Sequence, residues 1–145
     1  MKQTDNFKFD EANVMNELVY RNLSEDEKRQ ICAWKYGGEY DLYNLPSYEE
    51  MQVRQIGFMN PKSEKNYYGF WDESILVGFV NILEEKEEVF IGIGVNPDLC
   101  NKHYGQRMLL IAYEISKKLY PNKPLYLEVR TWNIRAVKCY QKAGF

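Results

Sequence analysis

The chain has 145 residues, a hydrophobic share of 45% and a net charge of -2, enough for one globular domain around a single buried core. That weakly acidic balance, without clustered Lys and Arg, excludes a general nucleic-acid binder, because phosphate contacts need concentrated positive charge. The polar start Met-Lys-Gln-Thr-Asp-Asn has no apolar stretch for a secretory signal, and no apolar run approaches a membrane span. A soluble, cytoplasmic protein is therefore expected. Cys32, Cys100 and Cys139, with a single histidine, lack metal-site spacing and read as reduced thiols, so no metal is expected.

Along the chain, Asp10 or Glu11 is expected to open a helix running through Val14, Leu18 and Val19. Ser24 followed by Glu27 is a capping-box pattern, predicting a second helix through Ile31 and Trp34 that Gly37-Gly38 would end. Residues 39–60, rich in Tyr, Pro and Asn, read as an irregular crossing with one helical turn near Tyr48–Val53. Tyr67–Trp71, Ile75–Leu83 and Val89–Val95 are apolar and β-rich, and the short turns between them predict an antiparallel meander. A polar loop from Asn96 follows, then a helix from near Gly105 with Met108, Ala112, Ile115 and Leu119 at the helical period, stopped by Pro121. The strand Leu125–Arg130 comes next. It should run parallel to Val89–Val95, because a helix connects the two. A last helix, capped by Asn133, closes on Gly144-Phe145. The expected fold is α+β: one domain, 1–145, whose mixed sheet runs from an antiparallel meander into a parallel pair flanked by helices.

Several residues could carry chemistry. A strand ending at Val95, a polar loop and a helix starting near Gly105 make an anion site, because free N–H groups and the helix dipole favour negative charge there. Gly92 and Gly94 imply close approach by something, either a ligand or a neighbouring aromatic ring. Asn133 is a good cap in its own right, and Tyr140 lies two turns along the same helix face. Glu128 points away from the Leu125–Leu127–Val129 face, as a candidate base or as a structural carboxylate. Trp34, Tyr36, Tyr40, Tyr43 and Tyr48 suit an amine by stacking or cation–π contact, or simply cover the sheet.

The spacing Leu127-x-Val129-x-x-x-Asn133-x-x-Ala136-x-x-x-Tyr140-x-x-x-Gly144-Phe145 resembles the C-terminal signature of GNAT superfamily N-acetyltransferases. With Glu128 and Arg130 it is similar to that of ribosomal-protein alanine N-acetyltransferases. The resemblance implies an α/β sandwich with a splayed parallel pair, and transfer of an acetyl group from acetyl-CoA to a primary amine by direct attack in a ternary complex. The acceptor would be a small-molecule amine or a protein N-terminus. It also implies that the loop Asn101, Lys102, His103, Tyr104, Gly105 and Gln106 holds the diphosphate. Cys100 and His103 depart from the family's Arg or Gln and its first glycine, while Gly105 matches. By the same resemblance Ile93, Gly94 and Val95 offer backbone hydrogen bonds to the pantetheine, Asn133 contacts CoA, Tyr140 protonates the departing thiolate and Glu128 is the general base. The competing class is a non-catalytic CoA-binding or protein-interaction domain that has lost turnover.

In such relatives Gly-Phe leads into two further strands, one of which covers the edge of the strand matching Leu125–Arg130. That edge is therefore expected to be open here. The chain is expected to be C-terminally truncated relative to the family, as a fragment, or to cover the edge by self-association as a homodimer.

Overall fold

Two tight turns, Glu73-Ser74 and residues 85–88, fold three β-rich segments back on one another. In the computed structural model, which describes residues 2–4, 18–128 and 133–145, the strands are β1 (Lys2–Thr4), β2 (Val19–Asn22), β3 (Tyr67–Asp72), β4 (Ile75–Glu84), β5 (Val89–Val95) and β6 (Leu125–Glu128). They form one sheet in the order β1-β6-β5-β4-β3-β2. All neighbours are antiparallel except β5 and β6, which run parallel and, among the described residues, pair only at Val89–Leu125 and Phe90–Tyr126. The expected α+β class and meander-to-parallel order are both present. Among the described residues four α-helices flank the sheet: α1 (Glu25–Ala33), α2 (Tyr48–Arg54), α3 (Tyr104–Leu119) and α4 (Ile134–Lys142).

One face of the sheet is sealed by α3. Met108, Leu109, Ala112 and Ile115 pack there against Val89, Ile91, Leu125 and Leu127, with Ala143 and Phe145 completing the core. The other face carries Ile31, Cys32, Met51, Phe58 and Leu76, with the rings of Trp34, Tyr67 and Phe79 around them. Helix ends follow the sequence signals closely. Ser24 and Glu27 form a reciprocal capping box. At the end of α4, Gly144 at φ 104° lets Phe145 N–H reach the Tyr140 carbonyl and Gly144 N–H reach that of Gln141, a Schellman closure that buries Phe145.

Three expectations are corrected. Val19 is not helical: Val19–Asn22 pairs with β3, from Val19–Trp71 to Asn22–Tyr68, because the β-branched and aromatic residues there complete the outer ladder. The remainder of that expected helix, residues 10–17, lies outside the described residues, as do Val129 and Arg130. Helix α1 stops at Ala33 rather than at Gly37-Gly38, since Trp34 turns extended to set its indole 6.3 Å from the Phe79 ring. Finally, the outer edge of β6 is not open. Strand β1 lies antiparallel along it, with Lys2 opposite Glu128 and Thr4 opposite Tyr126, which removes the premise of self-association through that edge. Lys2 is held in place by a 2.8 Å ion pair to Glu88 and by the Tyr126 ring, 4.3 Å away. A three-residue polar strand carries no periodicity by which a sequence could reveal it.

The two glycines of β5 meet different surroundings. A Cβ on Gly94 would stand 2.3 Å from Phe79 Cε1, whereas one on Gly92 finds nothing nearer than 3.4 Å. Gly94→Ala is therefore expected to destabilise the fold by about 1–3 kcal/mol through overpacking. Gly92→Ala should stay within about 0.5 kcal/mol of the parent. Urea unfolding of the two variants side by side checks the difference.

Candidate active site

Past Phe90 and Tyr126 the parallel strands separate, and a cavity of about 800 Å³ opens between them. Its walls are β5, β6, the first turn of α3, one face of α4 and the aromatic crossing after α1. Backbone alternation decides which groups of β5 face this gap. The Asn96 N–H bonds the Val77 carbonyl on the β4 side, while the Val89 N–H bonds Pro124 on the β6 side. Ile93 and Val95, in phase with Val89, thus aim their N–H and C=O groups into the gap. Tyr36 confirms that direction by donating its hydroxyl to the Val95 carbonyl at 2.6 Å. Gly94 is out of phase, so its polar groups bond toward β4 and its missing side chain accommodates Phe79.

At one end of the cavity lies the loop before α3. Asn101 and His103 both take the left-handed conformation, at φ 67° and 66°, so His103 adopts the backbone shape for which a glycine is favoured. Ser24, Ser47 and Asn133 cap α1, α2 and α4 through their side chains, but α3 has no side-chain cap. The first-turn N–H groups of Tyr104, Gly105 and Gln106 thus lack helical partners where the helix meets the cavity. A Cβ on Gly105 would come within 3.0 Å of Cys139 Sγ, so this glycine lets α3 seat against α4. Tyr104 donates its phenol to Asp72 at 2.6 Å, and that bond, more than burial, raises its pKa. Asn101 lines the cavity; Lys102 is exposed and does not.

The other end is built by α4, β6 and the crossing. Asn133 is 6% exposed and fully engaged: its Oδ1 accepts from Ala136 N–H at 3.2 Å, and its Nδ2 donates to the Tyr43 hydroxyl at 3.1 Å. Tyr140 lines the cavity, and burial pushes its phenol well above the usual tyrosine range, with Cys139, Tyr43 and Tyr36 adding to the shift. It holds its proton throughout the physiological range. Glu128 lines the same cavity from the exposed end of β6. Its neighbour Tyr126 donates to Glu85 at 2.7 Å, and this bond, with burial and the nearby carboxylates, pushes the phenol up to about 12. Sequence reasoning grouped Tyr36 with the other rings and missed its bond to β5. It also missed Arg135, Lys138 and Lys142 on the cavity wall, although their 3- and 4-residue spacing marks one helix stripe. Arg135 lies over the Tyr40 ring at 4.2 Å.

Sequence comparison agrees with this geometry: the profile of the Acetyltransferase (GNAT) family matches residues 20–145. The chain belongs to the GNAT acetyltransferase family. It is thereby an acetyl-CoA-dependent N-acetyltransferase. No curated protein sequence matches this acetyltransferase. Solved structures share the fold. A chimera of the Vibrio cholerae spermidine N-acetyltransferase SpeG and hSSAT is 19% identical with TM-score 0.69, covering 88% of this chain and 79% of its own. A GNAT acetyltransferase from Streptococcus pneumoniae is 23% identical, with TM-score 0.64 and coverages of 88% and 84%. One from Bacillus anthracis is 14% identical, with TM-score 0.71 and coverages of 98% and 82%. Among the described residues no group of three or more His, Cys, Asp or Glu could hold a metal, and no helix is long and apolar enough to cross a membrane.

A left-handed histidine costs this acetyltransferase about 1 kcal/mol that a glycine would not. His103→Gly is therefore expected to preserve CoA affinity and raise stability slightly. His103→Pro, with φ locked near -65° and no N–H, should weaken both. Calorimetry with CoA and denaturant unfolding read the two effects.

Proposed function

We propose that the chain transfers the acetyl group of acetyl-CoA directly to a primary amine within a ternary complex. The observation that carries this reading is the run of gap-facing backbone groups at Ile93 and Val95, set between an uncapped helix start and the protonated Tyr140. The donor set fits the cosubstrate. Free N–H groups of residues 104–106 suit a diphosphate, and the strand-like edge of β5 suits the amides of a pantetheine arm. Acetyl-CoA supplies an activated thioester carbonyl.

This chain's residues then have distinct tasks. The Val95 N–H is placed to stabilise developing negative charge on the carbonyl oxygen. Tyr140 keeps a proton to give to the departing thiolate. Glu128, at the mouth, takes a proton from the incoming ammonium directly or through water, so that a neutral amine attacks. Burial pushes the thiols of Cys100 and Cys139 up, which disfavours thiolate and supports direct transfer without an acyl-enzyme. Trp34, Tyr36, Tyr40 and Tyr43 would wall the acceptor, a small-molecule amine or a protein N-terminus. The spermidine enzymes among the structural neighbours are consistent with an amine acceptor of that kind.

Calorimetry with CoA followed by thiol release across an amine panel tests the reading. Binding without turnover would favour the non-catalytic alternative, and no binding at millimolar CoA would end the cosubstrate assignment. Tyr140→Phe removes only the hydroxyl, so kcat should fall about 10²–10⁴-fold at nearly unchanged CoA affinity. A change below threefold would return Tyr140 to packing. Because the Tyr140 pKa lies above its ordinary value near 10, the parent should show no tyrosine-derived loss of kcat up to about pH 10. Glu128→Gln should abolish the fall of kcat/KM toward low pH; an unaltered acid limb would remove Glu128 as the base.

A further inference from the structure

The cavity is chemically lopsided. Toward the acceptor mouth it is aromatic and carries Glu128, while the exposed Lys138 and Lys142 line it from α4, whose last turn meets the loop end through Lys142. Several contacts fix that end. Cys139, between the two lysines in sequence, is the residue against Gly105, and Gln106 Nε2 reaches the Lys142 carbonyl at 3.4 Å. The last turns of α4 therefore sit beside the uncapped first turn of α3. The charge of Lys142 reaches far enough to counter, in part, the burial that raises the Cys139 thiol. Among the described residues, neither Lys138 nor Lys142 forms an ion pair with a carboxylate. Arg135, one turn earlier on the same stripe, is engaged with Tyr40 and serves the other end.

We infer that Lys138 and Lys142 form a phosphomonoester subsite, by which the protein prefers CoA over the same molecule lacking its ribose 3′-phosphate. The inference rests on the acetyl-CoA reading above and goes further in assigning the third phosphate. A helix start offers about half an elementary charge and a few N–H donors, which match the diphosphate bridge. A terminal monoester carries roughly another one and a half to two negative charges, which those donors leave uncompensated. Two flexible ammonium groups, each a compact point charge with three donors, can supply that compensation. Lys142 also benefits the C-terminal end of its own helix, as any cation would there; Lys138, a turn earlier, has no such explanation.

Calorimetry on the intact chain with CoA and with 3′-dephospho-CoA tests this without knowledge of the acceptor. Charge-assisted phosphate bonds predict that the parent binds CoA about 10- to 100-fold more tightly. The double variant Lys138→Gln/Lys142→Gln should bring that ratio close to one while leaving 3′-dephospho-CoA affinity nearly unchanged. Lys86→Gln, a charge loss in the remote β4–β5 turn, should leave the ratio intact, and thermal melts verify that each variant is folded. Equal binding of the two ligands by the parent, or full discrimination by the double variant, overturns the subsite and leaves the acetyltransferase reading standing. Failure of the parent to bind either ligand overturns both.

Discussion

A sheet whose central parallel pair stops after two positions has to explain what happens to the backbone beyond it. From Ile91 onward β5 has, among the described residues, a partner on one side only, and an unsatisfied N–H or C=O in the middle of a sheet is costly. The separation is held open from both faces. On one, α3 and α4 meet at Gly105 and Cys139, where a Cβ on Gly105 would crowd the Cys139 sulfur, and so wedge in behind the strands. On the other, the crossing after α1 reaches both walls, with Tyr36 bonded to Val95 at the end of β5 and Tyr43 bonded to Asn133 at the start of α4. The gap is thus braced rather than merely empty, and its exposed strand edge is a template for an amide-bearing ligand.

What makes the gap useful is its polarity. The uncapped start of α3 and the α4 lysines put positive potential at one end, and phenols with a carboxylate stand at the other. In the proposed binding mode this polarity orients a long, phosphate-headed thioester with its reactive carbonyl toward Val95 and Tyr140. Burial of Tyr140 fits its proposed role, because a phenol held above its ordinary pKa keeps a proton to donate.

Much of this was legible in the sequence wherever one local rule suffices. The Ser24–Glu27 capping box, the Val89–Val95 strand, the parallel partner beginning at Leu125 and the Gly144-Phe145 closure each follow from spacing alone. Elements fixed by tertiary partners were not legible. Val19–Asn22 is a strand because β3 offers a free ladder, and Lys2–Thr4 is one because β6 does. Helix α1 ends early because Trp34 has Phe79 to pack against. The site divides in the same way. Gly105, Asn133 and Tyr140 could be placed from the family spacing. The opposite roles of Gly94 and Val95 depend on which side of β5 each backbone group faces, and a sequence does not state that phase. The α4 stripe was visible as a pattern, but only its position against α3 gives it meaning.

The central claim is that the divergence of β5 and β6 is the acetyl-CoA slot, and a crystal structure of the chain with CoA tests it most directly. The account predicts the pantetheine between the two strands, hydrogen-bonded to the backbone of Ile93 and Val95, with the diphosphate on the N–H groups of residues 104–106 and the sulfur beside Tyr140. A pantetheine arm lying outside the gap, or a diphosphate bound away from the start of α3, would contradict it.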